Sequence, residues 1–148
     1  MRLDKKYFHD IQLKKIQMVS LKSTYNEKNE GIEKKSPINI NINNGAKVTG
    51  TNKGVCYLRV EIGASEKENE LFNIEVIYKG YCESSTNIDE RNLRFYLEVQ
   101  SIPMLWAYAR ETINNTIIKM GLPPVILPAV NINEIIGEIS KKDEMEEN

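Results

Sequence analysis

The sequence predicts an α+β domain in which four antiparallel strands are followed by helices. Three observations support this: apolar residues alternate with polar ones in the first half, polar connections separate the alternating segments, and apolar residues later recur at helical spacing. A chain of 148 residues has the length of one domain. We expect the sheet over 9–83, the helical part over 86–140 and a charged, flexible tail over 141–148.

Four segments carry the alternation of half-buried strands. Residues 9–22 fit a first strand with a bulge near Lys14–Ile16. In the second, Ile38, Ile40 and Ile42 alternate with asparagines, which is the strongest period-two signal in the chain. Short polar connections indicate that the strands pair as an antiparallel meander. The remaining segments are two strands, VCYLRVEIGAS and ELFNIEVIYKGYC, and the turn-like stretch NNGAKVTGTNKG that precedes them.

Helical spacing begins after the fourth strand. A short helix fits the residues around Leu93, and Ser101 can cap a second, long helix that tolerates Pro103 in its first turn. Gly121 is the expected end of the long helix, and a last helix is predicted over 132–140. The long helix carries one apolar stripe: Ile102, Leu105, Trp106, Ala109, Ile113, Ile117 and Met120.

Composition argues against several functions. The net charge of −1 gives no basic face for nucleic acid, and no apolar run reaches the roughly 20 residues of a membrane span. We therefore expect a cytoplasmic protein without membrane insertion. Cys56 and Cys82 lack metal-site spacing and are interpreted as reduced structural thiols, and His9 is the single histidine. We expect no enzyme activity, no cofactor and no metal.

The unusual feature is that the sequence contains more apolar residues than a thin domain needs for its core. The alternating isoleucines near position 40, residues 122–127 and the isoleucines of 132–139 all belong to it. Strands and helices could cover one another completely, or the excess could form an interaction surface.

One stretch, WAYARETINNTIIKMGLPPVILPAVNINEII, resembles the SecB family of protein-export chaperones. In that family an aromatic-x-Tyr-Ala-Arg-Glu helix runs to a glycine, a proline-containing linker follows, and a Pro-Val-Asn-aromatic sequence opens the last helix. Ile132 stands here where the family prefers an aromatic residue. The matching residues are Trp106, Tyr108, Ala109, Arg110, Glu111, Gly121, Leu122, Pro123, Pro124, Leu127, Val130, Asn131 and Ile132.

The resemblance implies a chaperone that holds unfolded polypeptides in apolar grooves without ATP, for export or to protect an antitoxin. It also implies a homotetramer, a dimer of dimers, in which strands pair across subunits and the long helices lie between the dimers. The client-binding residues it implies are Ile38, Ile40, Ile42, Ile113, Leu122, Val125, Leu127, Ile132, Ile135 and Ile136. The implied oligomer interface comprises Ile102, Leu105, Trp106, Ala109, Ile117 and Met120.

The sequence departs from the family at the acidic positions through which export chaperones dock on the SecA motor. Met18 and Lys22 replace two of these acids, and only Glu75 remains as a possible SecA contact. This departure favours the branch of the family that works beside toxin–antitoxin pairs. Two alternatives stay open: a non-catalytic protein with one dedicated partner on the same fold, and a small-ligand protein or enzyme that uses the groove as its pocket.

Overall fold

The main elements that the computed structural model describes are a four-stranded antiparallel sheet and a bent helix. The structure describes residues 4, 6, 8–29, 37–66, 69–131, 133–134, 138, 141 and 145. The four strands lie in the order β1-β4-β3-β2, so β1 and β2 form the two edges. This confirms the predicted four-stranded sheet. The strands are β1 (Ile11–Tyr25), β2 (Ile38–Gly50), β3 (Lys53–Glu66) and β4 (Asn69–Ser84), and a short 3-10 helix (Glu27–Asn29) follows β1.

Strand β1 is irregular in two places. Its register against β4 shifts between Leu13 and Lys15 and again between Met18 and Ser20. The first shift confirms the predicted bulge. The second was not predicted, because no turn-forming residue marks it. Bulges of this kind increase the local twist of an edge strand.

The second strand is longer than predicted. The residues Asn43, Asn44 and Gly45 were expected in a turn, but they pair with β3, and the actual turn is Thr51–Asn52. The prediction was wrong because a long partner strand outweighs local turn preference. Asn52 takes a positive φ of 61° in this turn, and its side chain accepts a hydrogen bond from the Ile88 amide at 3.1 Å. The turn thereby fixes the chain that enters the helix.

Burial alternates along the two central strands as predicted. On β3 and β4 every second residue is buried, and these residues form one face of the sheet. Apart from the buried Val55, exposed or half-buried residues, most of them polar, occupy the opposite face. We call the two sides the covered face and the polar face. The centre of the covered face consists of Leu58, Val60, Ile62, Ile74 and Val76.

The helical part is one bent helix, so the prediction of separate short and long helices was wrong. It consists of α1 (Glu90–Phe95), a π-helical segment (Tyr96–Gln100) and α2 (Ile102–Lys119). Ser101 does not cap α2, since its hydroxyl donates to the Leu97 carbonyl at 2.6 Å and its backbone is helical. The π segment and Pro103 account for the bend. The predicted helix over 132–140 lies largely outside the described residues.

The bent helix crosses the covered face, with α2 against β4 and β3 and with α1 and the π-helical segment against β2 and β3. Leu97 lies against Gly54, and Leu105 lies against Gly80. Further along α2, Thr112 forms a hydrogen bond with Tyr78 of β4, and the Tyr108 ring lies tilted beside the Tyr78 ring with centroids 6.0 Å apart. The core therefore lies between β3, β4 and α2.

Glycine at position 80 is required by this close approach. A Cβ there would lie 2.7 Å from Leu13 Cδ1 and 2.8 Å from Cys56 Sγ. We predict that Gly80→Ala lowers the free energy of unfolding by about 1–3 kcal/mol through overpacking. Gly45→Ala is the matched control, because its Cβ would meet nothing within 4 Å. Chemical denaturation of both variants checks this, and equal stability would contradict the close approach of helix and sheet.

Candidate functional site

Three isoleucines of β2 remain exposed on the covered face. Ile38, Ile40 and Ile42 are 40%, 40% and 44% exposed. Their cross-strand partners on β3 are Ala64, Ile62 and Val60, which are buried. Directly opposed residues share a face, so these isoleucines continue the core surface beyond the helix. We call Ile38, Ile40 and Ile42 the β2 edge.

An extended linker, residues 122–130, runs back along α2. Gly121 ends the helix with a φ of 79°, a conformation that favours glycine. The indole N–H of Trp106 then donates to the Pro128 carbonyl at 2.9 Å, and the Val125 amide donates to Asn114 Oδ1 at 3.2 Å. The later linker residue contacts the earlier helix residue, so the linker is antiparallel to α2.

The linker side chains alternate between the helix and solvent. Leu127 is buried, and Leu122 and Val125 are half-buried, whereas Ile126 is 92% exposed. A cleft of about 310 Å³ separates α2 from this part of the linker. Sequence reasoning missed Ile126, although the two-residue period of an extended chain could have found it. The cleft is lined by Ala107, Arg110, Glu111, Asn114, Val125, Ile126 and Leu127.

The predicted client-binding residues fall into three groups. The β2 edge is exposed, and Leu122 and Val125 are partly accessible. Ile113 and Leu127 lie inside the core, with 0% and 3% exposure. They therefore pack beneath the accessible apolar residues and are not part of the accessible surface. The remaining three, Ile132, Ile135 and Ile136, lie outside the described residues.

The predicted oligomer stripe lies mostly inside the single chain. Five of its residues are buried within the same chain, and Met120 is half-buried. The helical pattern predicts the stripe but not the surface that covers it, and a sheet face was available within the chain. The exposed large apolar residues of α2 are instead Tyr108 and Ile118, each 50% exposed. The five covered residues are Ile102, Leu105, Trp106, Ala109 and Ile117.

Glu75 lies on the polar face and is already bound within the chain. Arg59 Nε donates to Glu75 Oε2 at 2.9 Å, and its terminal nitrogen donates to Glu61 Oε2 at 2.8 Å. Glu75 first, and Glu61 second, raise the pKa of Arg59. Lys22 lies opposite Glu75 on β1. The charge of Glu75 is therefore compensated, and the residue is not a free acidic contact.

His9, Cys56 and Cys82 are of residue types that can act in catalysis, and they lie in or just before strands of the sheet. His9 Nδ1 accepts a hydrogen bond from the Ile11 amide at 3.0 Å, at the start of β1. Cys56 and Cys82 are free and buried, and their mutual hydrogen bond lowers the pKa of Cys56 to about 7 and raises that of Cys82. Among the described residues there is no cluster that could hold a metal and no helix long and apolar enough to cross a membrane.

The chain belongs to the SecB family. Residues 1–142 match the family model described as "Preprotein translocase subunit SecB". The chain is 28% identical over 116 residues to the protein-export protein SecB of Orientia tsutsugamushi (strain Ikeda), covering 78% of this chain and 67% of the relative. It is 32% identical over 94 residues to the protein-export protein SecB of Rhodopseudomonas palustris (strain TIE-1), covering 64% and 59%. The chain thus spans about three fifths to two thirds of the length of these relatives.

The fold is also that of a solved SecB-like chaperone. The Mycobacterium tuberculosis protein Rv1957, in complex with a ChAD peptide from the Rv1956 HigA1 antitoxin, superposes with a TM-score of 0.66. The match covers 82% of this chain and 88% of that chain at 12% identity. At 12% identity this similarity establishes the fold alone.

Two hydrogen bonds from α2 side chains hold the linker, and each can be removed separately. We predict that Asn114→Ala frees the Val125 amide and raises hydrogen exchange across 122–130, at a cost of about 1 kcal/mol. Trp106→Phe removes the bond to Pro128 and should act in the same direction, with an added loss from core volume. Hydrogen exchange with mass spectrometry checks both variants. Unchanged linker exchange in both would contradict the tethering.

Proposed function

We propose that this protein is a chaperone that holds non-native polypeptides without ATP, and that the β2 edge and the linker form its client groove. The observation that carries the proposal is the row of half-exposed isoleucines on the same face as the buried core. Ile126, almost fully exposed on the linker, adds a further apolar contact. Membership of the SecB family supports the same function.

The physical basis is burial without sequence readout. Fully burying an isoleucine contributes about 1.5–3 kcal/mol, so covering the exposed part of each β2-edge side chain contributes about 1 kcal/mol. Such an attraction depends on apolar area and tolerates many sequences. Individually weak contacts of this kind suit a protein that must release its client later. Several grooves on one assembly would strengthen capture through effective concentration.

Backbone pairing adds a second source of affinity. Strand β2 lies at the edge of the sheet, and no described strand pairs with its outer side. Unfolded chains have unpaired amide and carbonyl groups, and an extended segment can add to an exposed sheet edge. The alternation of β2 would then place every second client side chain on the covered face.

The relatives point to two classes of client. The curated relatives are named for protein export, and the structural neighbour holds an antitoxin peptide. Both classes present unfolded, apolar segments in the cytoplasm, where we place this protein. Export through SecA would have to use Glu75, whose carboxylate is engaged by Arg59. We therefore favour clients that reach the groove without SecA.

We further propose a homotetramer assembled through surfaces other than the predicted stripe. Tyr108 and Ile118 give α2 an apolar outer side that could pack between dimers. Met18 and Leu21, exposed on edge strand β1, could accompany strand pairing across subunits. Each of these residues is accessible in the single chain, whereas five of the six stripe residues are buried.

The client groove makes a prediction about one substitution. Ile40→Asp should weaken binding of an unfolded model client about tenfold, because it places a charge in the apolar surface. Fluorescence anisotropy with a labelled, permanently unfolded client, without nucleotide, measures the affinity.

Asn41→Asp is the matched control, since it adds the same charge on the adjacent, polar side of β2. We expect it to leave the client affinity unchanged. Equal weakening by both variants, or by neither, would contradict the groove. Binding of one stoichiometric partner with no affinity for unfolded chains would favour the dedicated-partner alternative.

The assembly proposal predicts a change in mass. Ile118→Asp should convert the tetramer to a smaller species, because it places a charge in the surface between dimers. Ile118→Val keeps the surface apolar and should leave the tetramer intact. Size-exclusion chromatography with light scattering gives the masses. A wild-type monomer, or an unaffected aspartate variant, would contradict this arrangement.

A further inference from the structure

A second surface lies on the polar face, on the other side of the sheet from the client groove. Two neighbouring rows of cross-strand partners define it. Lys15 pairs with Tyr81, Tyr81 with Val55, and Val55 with Lys47. In the next row Lys79 pairs with Tyr57. Residues two apart on a strand share a face, so three lysines and two tyrosines form one patch. We call Lys15, Lys47, Tyr57, Lys79 and Tyr81 the lysine–tyrosine patch.

The positive charges of the patch are held close together by its aromatic rings. The Lys79 ammonium lies 4.6 Å from the Tyr81 ring centroid and 5.4 Å from that of Tyr57. The Lys15 ammonium lies 5.4 Å from the Tyr81 centroid. The two ammonium groups are therefore no more than about 10 Å apart. Contacts with Tyr81, then Tyr57, raise the pKa of Lys79, so it is charged at neutral pH.

The two rows of the patch contain no acidic residue. In the described part of the chain, the three lysines form no salt bridge. Glu83 lies in the row beyond Tyr81, where its cross-strand partner on β3 is Lys53. Further along the same face, by contrast, Arg59 forms salt bridges with Glu61 and Glu75. One end of the sheet face is thus internally compensated, and the other presents positive charge. The remaining residues of the two rows are Gln17, Gly45 and Val55.

The geometry favours carboxylates over nucleic acid as the ligand. Lys79 lies over the rings of both tyrosines, and bases would need those ring faces for stacking. Three lysines would also neutralise few phosphates. In an extended chain, side chains two residues apart lie about 6.6 Å from one another on one side. Alternate acidic residues therefore match ammonium groups separated by about 10 Å or less.

We propose that the lysine–tyrosine patch docks an extended, acidic segment of a partner polypeptide. The lysines supply the charge, and the tyrosines hold the lysines in place and offer hydroxyl groups to the carboxylates. This site is separate from the client groove and selects by charge rather than by apolar area. Both sites can be occupied together, because they lie on opposite faces of the sheet.

The test uses a short fluorescent peptide of alternating glutamate and serine. We expect the intact protein to bind it, with an affinity that falls as salt is raised. Replacing all three lysines, as Lys15→Gln, Lys47→Gln and Lys79→Gln, should weaken binding about tenfold. The matched control is Lys22→Gln, which removes a lysine from the same face beside Glu75 and should leave binding unchanged.

Three further measurements separate docking of carboxylates from non-specific binding and from unfolding. A glutamine–serine peptide of the same length should not bind. The triple variant should retain its melting temperature, which shows that the sheet is intact. A single-stranded oligothymidine should bind more weakly than the acidic peptide. Tighter binding of the oligothymidine, absence of acidic-peptide binding, or equal loss in the Lys22→Gln variant would each overturn the proposal.

Discussion

The molecule is organised by a mismatch in width between one helix and a four-stranded sheet. A helix with its side chains is about 10–12 Å across, whereas four strands spaced about 4.8 Å apart need a wider cover. The α2 part of the bent helix lies above β3 and β4, where every second residue is buried, and the first part of the helix reaches only one end of β2. Apolar residues of both edge strands are left accessible. The β2 edge, proposed for clients, and the apolar residues of β1, proposed for assembly, both result from this incomplete cover.

The linker adds to the covered face without closing it. Its prolines lack amide hydrogens and prevent both a continued helix and a regular strand. Hydrogen bonds from Trp106 and to Asn114 hold it beside α2, so Leu127 completes the core while Ile126 remains in solvent. A chain segment with fixed ends and one apolar side exposed can contact a client without first being ordered, which lowers the entropic cost of binding.

The sequence predicted the parts of the fold that depend on local periodicity. Alternation located the β2 edge, and the resemblance around Arg110 located the helix and linker. Local patterns could not predict what covers each surface, because burial of the α2 stripe depends on the sheet and on the linker, which fold back onto the helix. They also placed a helix break at Ser101, where the hydroxyl instead bonds within the bent helix. The lysine–tyrosine patch was missed because it exists only through the register of all four strands.

The central claim is that unfolded chains bind the β2 edge and the linker. Methyl NMR of isoleucine-labelled protein, titrated with an unfolded client, tests it most directly. We predict that the methyl signals of Ile38, Ile40, Ile42 and Ile126 shift or broaden first, while those of the buried Ile62 and Ile74 change least. Changes confined to other residues, with the β2 edge unaffected at saturation, would contradict the claim.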